Sequence, residues 1–376
     1  MSGVQAGTGP CILFFSGGTA LGPVASALTR RTRNAVHVIT TFDSGGSSAE
    51  LRRVFDMPAV GDVRARLIAL ADTNISGYTE LKKLFAWRLP LEASTAELRE
   101  ELRDLAEGRH PLILAIPEGQ RPAAVRYLAQ FRAILPENMN LAGACIGNLA
   151  LTAAYMGHNR QLDPVVQFFS RLINASGIVH PVANDCAHLC VQLENGEVIV
   201  GQHRFTNKTR SVITSPIRRM WLSAALDDDS PVHVGILPEL AATIHAADLI
   251  CYPVGSFYSS VMANLLPDGV GEAIRKAPCP KVFLPNLSGD PELLGRSIQD
   301  QVSCLLQMVG AGDDPLSALN FLLVDQNDAL YPGGIPEQWL AGKGIRVHRA
   351  PLVAIPPYLE PESVCEQLCA LTCAGC

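Results

Sequence analysis

Short uncharged hydrophobic runs alternate with amphipathic stretches along most of this chain. The first run, residues 11–15, ends at Gly17 and Gly18. Such a run is typical of a strand buried on both faces, and the spacing of residues 20–31 predicts a helix after it. A second run at residues 35–42 completes a strand–helix–strand unit. Because a crossover of this kind joins parallel strands, the pattern predicts a parallel sheet.

The same alternation continues towards the C-terminus. Further helices are predicted at residues 49–54, 65–71, 149–156 and 240–247, with a charged pair of surface helices within residues 78–109. Further strands are predicted at residues 141–144, 178–181, 187–193, 198–201, 248–252, 281–284, 320–325 and 344–348, and residues 194–197 predict a hairpin turn. The polar composition of residues 202–231 predicts a projecting arm or small subdomain. We expect an α/β fold, three-layer α/β/α with a mostly parallel sheet.

Composition narrows the class of protein. The 376 residues are 48% hydrophobic and 18% charged, which allows a large core, and the net charge is -6. Without a basic run the chain is not expected to bind nucleic acid. No hydrophobic run is long enough for a signal peptide or a membrane span. The eleven cysteines are spread through hydrophobic segments, as expected of buried thiols in a reducing cytoplasm.

The turn after the first strand is a candidate phosphate site. Gly17 and Gly18 leave backbone N–H groups unobstructed, and Thr19 is placed to cap the following helix. Free N–H groups and the partial positive charge at a helix N-terminus attract phosphate. The same three residues would also suit an ordinary turn, since neither the spaced-glycine dinucleotide motif nor a P-loop lysine is present.

Two further loops should lie beside this turn, because the carboxyl ends of parallel strands meet at one sheet edge. Asp43 would bind a ribose, hold a metal through phosphate or accept a proton, and Ser47 and Ser48 would bind phosphate; all three also suit a helix cap. Asp62 and Arg64 flank a valine, so in an extended loop both side chains would point the same way. The alternative for them is a surface ion pair.

Two later segments carry weaker signals. Asn148 precedes a predicted helix, as a cap or a ligand contact. Gly255 and Ser256 follow a strand and allow a ligand close to the backbone, and Tyr258 would stack on a base or sugar, or lie in the core.

The C-terminal tail, residues 357–376, is rich in cysteine. Cys365, Cys369 and Cys373 lie four residues apart, which places them on one helix face. Together with Cys376, the last two of these have the spacing of a cluster-binding triplet. We favour a thiol-rich helix end over a metal cluster, because no loop glycines precede the group.

Taken together, these loops resemble the CofD-like family, which includes the 2-phospho-L-lactate transferase and the YvcK-type gluconeogenesis factors. The resemblance rests on segments that extend over most of the chain: residues 17–19, 43–48, 61–64, 67–72, 147–149, 181–182, 193–196, 244–249, 255–260 and 264–266. Residues 43–53, with their paired serines, are closer to the YvcK-like branch. The resemblance implies one Rossmann-like domain over residues 1–376.

The resemblance also implies a ligand. Members bind a nucleoside diphosphate derivative, which is a UDP-sugar in the YvcK-like branch and a guanosine-linked phospholactate in the transferase. Carried over by position, the residues expected to bind the ligand are Gly17, Gly18, Thr19, Gly45, Gly46, Ser47, Ser48, Asn148, Gly255, Ser256, Tyr258 and Asn264. The residues expected to be catalytic are Asp43, Asp62 and Arg64, with Asp43 as a ligand for Mg2+.

Two positions depart from the family pattern. Ala20 stands where a glycine is usual, and Ser44 stands where a second aspartate is usual, which removes a hard oxygen ligand for Mg2+. Our first hypothesis is a cytoplasmic transferase that moves a phosphorus-containing group to a hydroxyl, without a tightly bound organic cofactor and with a homodimer allowed. The alternative is a non-catalytic UDP-sugar-binding regulator. A third hypothesis is a dinucleotide enzyme with Asp43 on a ribose.

Overall fold

The structure, a computed structural model, describes residues 9–72, 77–206, 212–287 and 289–373. Its strands are β1 (Ile12–Ser16), β2 (Val36–Ile39), β3 (Ile178–Pro181), β4 (His188–Leu193), β5 (Val198–Val200), β6 (Ile217–Ser223), β7 (Leu249–Tyr252), β8 (Lys281–Phe283), β9 (Phe321–Asp325), β10 (Arg346–Ala350), β11 (Val353–Ile355) and β12 (Tyr358–Leu359). Within the described ranges, no helix has the length and apolar character needed to cross a membrane.

Helices connect most of these strands. They are α1 (Gly22–Leu28), α2 (Gly46–Phe55), α3 (Gly61–Leu70), α4 (Tyr78–Ala86), α5 (Thr95–Ala106), α6 (Pro111–Leu114), α7 (Arg121–Ile134), α8 (Ile146–Gly157), α9 (Leu162–Leu172), α10 (Gln202–Phe205), α11 (Pro238–His245), α12 (Val270–Lys276), α13 (Ile298–Val309), α14 (Glu337–Gly342) and α15 (Pro361–Thr372). A short π-helix spans Phe257–Val261, and a 3-10 turn follows it at Met262–Leu265.

The seven-stranded central sheet has the order β10-β9-β8-β7-β1-β2-β3, and all its strand pairs are parallel. Strands β2 and β3 extend the sheet on one side of β1. The chain then returns to the other side of β1, where β7, β8, β9 and β10 follow one another. In sheets of this kind, ligands bind beyond the carboxyl ends of the strands where the direction reverses. The Rossmann-like three-layer fold expected from the sequence is confirmed.

Alternate side chains of β1 enter two different cores. Ile12 and Phe14 pack with α1 and α15 on one face of the sheet. Leu13 and Phe15 pack on the other face, in a core shared with helices α11, α12 and α13. A third core joins helices α2 to α9. This alternation is what a strand covered on both faces requires.

A second, three-stranded antiparallel sheet has the order β5-β4-β6. The hairpin predicted at residues 194–197 joins β4 to β5, with Gly196 in the left-handed region at φ +91. The predicted arm, residues 202–231, contributes α10 and β6 to this region, and its residues 207–211 lie outside the described part of the chain.

Several predicted boundaries were wrong at places that matter for the site. Residues 61–64, predicted as a loop, form the first turn of α3, and residues 147–148 lie inside α8. Helix α2 begins at Gly46, so Ser47 and Ser48 are within its first turn and do not cap it. Thr19 does not cap α1, whose N-cap is Leu21.

One predicted strand is absent from the described region. Residues 141–144 form a turn in which Gly143 has φ +68, and only the following Cys145 makes an isolated bridge, to Arg88. A left-handed residue breaks the extended conformation that a strand needs. Conversely, the short hairpin of β11 and β12 was not predicted.

Candidate functional site

The loops after β1, β2, β7 and β8 meet around a cavity of about 700 Å³ beside the point where the sheet reverses direction. Most of the predicted site residues line it. They are Thr19, Asp43, Gly45, Gly46, Ser47, Ser48, Asp62, Arg64, Asn148, Gly255 and Ser256. Sequence positions as far apart as 19 and 256 are therefore brought together.

Four of the predicted residues do not line this cavity: Gly17, Gly18, Tyr258 and Asn264. The Tyr258 hydroxyl is buried and donates a hydrogen bond to the carbonyl oxygen of Ile217 at 3.4 Å. The Asn264 amide is also buried and donates to the carbonyl oxygens of Ser16 and Ser260 at 3.1 and 2.7 Å. Both side chains therefore stabilise the loops around the cavity through hydrogen bonds to backbone carbonyl oxygens, without lining the cavity themselves.

The Gly17–Gly18 turn holds a carboxylate of the protein itself. The Asp62 side chain accepts a hydrogen bond from the N–H of Gly18. A Cβ added at Gly18 would lie 2.5 Å from Asp62 Oδ1, and one at Gly17 would lie 3.0 Å from Oδ2. Gly18 is required because Asp62 approaches this closely, and Gly17 is required chiefly because a Cβ there would lie 2.5 Å from Ser260 Oγ. The turn thus presents Asp62 at the point where the sequence predicted a bound phosphate.

Asp62 and Asp43 disfavour each other's charge. Burial raises the pKa of Asp62 to about 6, and the charge of Asp43 adds to the shift, while the Gly18 N–H and the nearby Arg66 oppose it. Burial also raises the pKa of Asp43, whose Oδ1 accepts the N–H of Gly45 at 2.9 Å. A pair of this kind binds a proton or a cation readily near neutral pH.

These two carboxylates fit Mg2+ held jointly with a ligand. Mg2+ in proteins is commonly bound through one or two carboxylates plus substrate phosphates. In the described part of the chain, no three His, Cys, Asp or Glu side chains are grouped closely enough to form a metal site by themselves. Ser44, at the position of the second family aspartate, accepts a hydrogen bond from the N–H of His203 at 3.2 Å and contacts His203 Nδ1 at 2.8 Å.

The backbone of Asp43 is held by a buried arginine. Arg52 Nη1 donates to the carbonyl oxygens of Phe42 and Asp43 at 3.2 and 2.9 Å, and Nη2 donates to the carbonyl oxygen of Ala187 at 2.6 Å. One side chain thus ties the end of β2 to the segment that enters β4. Arg52 thus fixes the backbone of Asp43, and Asp43 is part of the cavity lining.

The N-terminus of α2 is the part of the cavity best suited to phosphate. No side chain caps this ten-residue helix, and its first turn contains no acidic residue. Its first N–H groups and partial positive charge attract an anion. Ser47 is held by neighbours, since its Oγ accepts hydrogen bonds from the N–H of Cys145 at 3.1 Å and from Asn148 Nδ2 at 3.3 Å.

Asp62 and Arg64 do not form the ion pair that the sequence allowed. Both lie in the first turn of α3, where residues two apart point in different directions. Arg64 Nε donates instead to Asn148 Oδ1 at 2.9 Å. Asn148 therefore joins Arg64 to Ser47, and it does so from inside α8 rather than as a helix cap.

The loop after β8 also lines the cavity and was not predicted to do so. Asn286 Oδ1 accepts the N–H of Gly255 at 3.0 Å, and Asp290 accepts the N–H of Phe257 at 2.8 Å. Glu292 Oε2 accepts the N–H groups of Tyr258 and Ser259 at 3.0 and 2.8 Å. The backbone N–H groups of Gly255, Phe257, Tyr258 and Ser259 are thus satisfied by side chains of this loop. The polar residues that follow the predicted strand 281–284 were the signal that could have identified this loop.

The two acidic side chains of this loop are also perturbed. Burial raises the pKa of Asp290, and burial with the adjacent charge of Asp290 raises the pKa of Glu292. Arg88, Gln202, His203 and Thr206 complete the part of the lining that the sequence did not indicate. They come from the segment after α4 and from α10 and its C-cap, far from the strand ends in sequence.

The C-terminal cysteines lie away from the cavity. Cys365 is buried in the core beneath α1, Cys369 is half-buried, and Cys373 is exposed at the end of α15. Cys376 lies outside the described residues. The three regularly spaced cysteines therefore do not form one solvent-exposed row of thiols, because Cys365 is packed in the core against α1.

Comparison with known proteins finds a family model and curated relatives that match most of the chain. The family model described as 2-phospho-L-lactate transferase CofD matches residues 12–332. The chain is 29% identical over 307 residues to the gluconeogenesis factor of Bacillus subtilis, covering 81% of this chain and 77% of that protein. It is 25% identical over 303 residues to the gluconeogenesis factor of Halalkalibacterium halodurans, covering 80% and 74%.

A solved structure shares the fold. A crystal structure of a Bacillus halodurans protein superposes with a TM-score of 0.70 at 22% identity, covering 97% of this chain and 99% of that one. The match of the family model over residues 12–332 includes every predicted site residue. The chain therefore belongs to the CofD family.

Proposed function

We propose that the cavity binds a nucleoside diphosphate-linked ligand and that the protein transfers the phosphorus-containing group of this ligand to a hydroxyl acceptor. The observation that carries the proposal is the meeting of an uncapped helix N-terminus, at α2, with the paired carboxylates of Asp43 and Asp62 in one cavity. The first feature suits a diphosphate, and the second suits a proton acceptor or a cation.

Each group has a role in this proposal. The N–H groups of α2 and the guanidinium of Arg64 bind and neutralise the diphosphate. The acceptor oxygen forms a bond to the distal phosphorus, the bond to the proximal phosphate breaks, and a nucleoside monophosphate leaves. Asp62 accepts the hydroxyl proton, since a pKa of about 6 lies close to that of an effective general base. Mg2+ bound at Asp43 would supply further charge neutralisation.

Replacing Asp43 by asparagine tests the catalytic assignment. The variant D43N keeps the acceptor for the Gly45 N–H but removes the charge, so we expect turnover to fall at least a hundredfold while nucleotide affinity changes by less than about threefold. Turnover would be followed by mass spectrometry of UDP-sugars and guanosine diphosphate derivatives with and without Mg2+. D228N, which changes an exposed carboxylate outside the cavity, is the matched control. Equal losses in both parameters, or unchanged turnover, contradict the assignment.

A second candidate function is a non-catalytic UDP-sugar-binding regulator. Ser44 favours it, because the position of the usual second aspartate is committed to His203 and offers no carboxylate. The gluconeogenesis factors among the relatives are consistent with it. Stabilisation by an intact UDP-sugar, independent of Mg2+ and without product, would identify the regulator, whereas breakdown of the ligand would identify the transferase. A thermal shift with NAD or NADP alone would instead favour a dinucleotide enzyme.

A further inference from the structure

His203 lies beside the N-terminus of α2, in the lining of the cavity. It is the second residue of the short helix α10. A Cβ added at Gly45, the residue that precedes α2, would lie 3.6 Å from His203 Cβ and 3.5 Å from Asp43 Oδ1. The histidine is therefore next to two features on which the proposed function depends, the N–H groups of α2 and the carboxylate of Asp43.

The hydrogen bonds of Ser44 determine which ring nitrogen of His203 carries a proton. Ser44 Oγ accepts the backbone N–H of His203 at 3.2 Å and lies 2.8 Å from His203 Nδ1. Ser44 is buried, and within the described part of the chain these two groups are the hydrogen-bond partners of its hydroxyl. Because an N–H group cannot accept, the hydroxyl proton is donated to Nδ1. Nδ1 is then unprotonated, and in a neutral imidazole the proton is on Nε2.

The other ring nitrogen is available to a ligand. His203 is exposed, and the hydrogen bond of its ring to another described residue is made by Nδ1. Burial lowers the pKa of His203, and the charge of Arg204 adds to the shift, whereas Asp43 opposes it. The ring is therefore neutral near pH 7, and its Nε2–H is an uncharged donor. A carboxylate at position 44, which can only accept, would instead require the proton on Nδ1.

We propose that Ser44 is a positioning residue that fixes His203 in the tautomer with the proton on Nε2, and that this N–H donates a hydrogen bond to a phosphate oxygen of the ligand at the N-terminus of α2. The inference rests on the proposed function and adds a ligand-binding residue to it. It applies to the transferase and to the regulator, because both bind a nucleoside diphosphate. It also gives a role to α10, a segment in which the sequence indicated no site residue.

The first test determines the tautomer. Long-range proton–nitrogen correlation spectra of the full chain, with isotopically labelled histidine, distinguish a protonated ring nitrogen from an unprotonated one. The signals of His203 are those missing from H203Q. In the unmodified chain Nε2 should be protonated and Nδ1 should not. In S44D the new carboxylate requires a donor, so Nδ1 should carry a proton. If Nδ1 is protonated in the unmodified chain, or remains unprotonated in S44D, the role of Ser44 is overturned.

The second test measures the contribution of the donor to binding. Asparagine and glutamine place their amide groups near the positions of Nδ1 and Nε2 of histidine, so H203Q keeps a donor that H203N loses. Calorimetric titration with UDP and with GDP should give an affinity lower by about tenfold or more in H203N, because hydrogen bonds to charged groups are the stronger ones. The affinity of H203Q should remain within about threefold of the unmodified chain. H233N, which changes an exposed histidine outside the cavity lining, is the matched control and should bind as the unmodified chain does.

Equal affinities of H203N, H203Q and the unmodified chain would overturn the ligand contact of His203, and so would equal losses in the two variants. Melting temperatures separate loss of folding from loss of this contact. Addition of the nucleotide to the unmodified chain tests the contact without any substitution, since the Nε2–H signal should shift, and an unchanged signal in the bound state would also overturn it. Failure of the unmodified chain to bind UDP, GDP or any of their derivatives would instead contradict the proposed function itself, and this contact with it.

Discussion

The carboxylate of Asp62 lies directly against Gly18, accepting its N–H, so that a Cβ at position 18 would come within 2.5 Å of Asp62 Oδ1. One helical turn later, Arg66 Nη2 donates to the carbonyl oxygen of Gly17 at 2.9 Å. Helix α3 therefore contacts both the carbonyl oxygen and the N–H of one peptide group, the one that joins Gly17 to Gly18. The position of a candidate catalytic carboxylate depends on two glycines about forty-five residues earlier in the chain.

The substitution G18A should displace Asp62. The added methyl would also meet Ala65 Cβ at 3.0 Å, and both neighbours are fixed by α3. Forcing a methyl group into such a contact typically costs about 1–3 kcal/mol. We expect a loss of this size in the free energy of unfolding, measured by urea denaturation, together with weaker activity or ligand binding.

G22A is the matched control for this change. Gly22 is the first residue of α1, and nothing lies within 4 Å of a Cβ built there. Alanine in a helix is favoured over glycine by up to about 1 kcal/mol, so G22A should be neutral or slightly stabilising. Equal destabilisation by G18A and G22A would show that the Asp62 contact is not responsible.

A second prediction concerns the pH dependence introduced by Asp62. Its pKa is raised from 3.8 to about 6 in the folded chain, so between these values the folded state binds more protons than the unfolded state. The free energy of unfolding therefore decreases as the pH rises through this window. D62N removes the charge and keeps an acceptor for Gly18, so it should gain about 1–3 kcal/mol relative to the parent chain between pH 4 and pH 8.

Urea denaturation of both chains at several pH values measures this gain. D228N again serves as the control, because it removes a fully exposed carboxylate. The difference in unfolding free energy between D228N and the parent chain should not increase from pH 4 to pH 8. If the difference in unfolding free energy between D62N and the parent chain stays constant from pH 4 to pH 8, the pKa of Asp62 is not raised. The same variant should lose turnover if Asp62 accepts the hydroxyl proton.

Local sequence patterns predicted the strands that carry the site. The uncharged run at β1 and its two glycines, and the loop that begins at Asp43, follow from burial and backbone freedom, which are local properties. The rule that strand ends converge then placed Thr19, Asp43 and Gly255 around one cavity correctly. These residues could be found because each directly follows a hydrophobic strand.

The partners of those residues could not be found in this way. Whether Gly18 faces a phosphate or a carboxylate depends on where α3 begins, and the start at Gly61 is stabilised by tertiary packing of Val63 and Leu67 in the helical core. Arg88 reaches the cavity through a bridge to Cys145, a contact between residues with no local pattern in common. Long-range packing determines both where α3 begins and how Arg88 reaches the cavity. The hydrophobic periodicity of the sequence does not predict such packing.

A third prediction tests the loop after β8. Glu292 is buried, and its Oε2 alone accepts the N–H groups of Tyr258 and Ser259. E292A would leave both donors buried without an acceptor, which should cost about 2–4 kcal/mol of unfolding free energy. E292Q keeps an oxygen there and removes the repulsion from Asp290, so it should remain within about 1 kcal/mol of the parent chain.

Chemical denaturation at pH 7 distinguishes the two variants. E272A is the control, because Glu272 pairs with Lys276 on the surface and such pairs contribute at most about 1 kcal/mol. If E292Q is as destabilising as E292A, the charge of Glu292 is needed and the acceptor oxygen alone does not explain its position.

The last prediction concerns the cysteines of α15. Burial raises the pKa of Cys365 to about 12, and its thiol packs against α1, whereas Cys373 is exposed. Since the thiolate is the reactive form, iodoacetamide should modify Cys373 in the folded protein and Cys365 only after denaturation. Mass spectrometry of peptides from the purified chain measures both, with C373S as the control for assignment. A cluster bound by Cys369, Cys373 and Cys376 would protect Cys373, so rapid labelling in the protein as purified would exclude that cluster, and protection released by a chelator would support it.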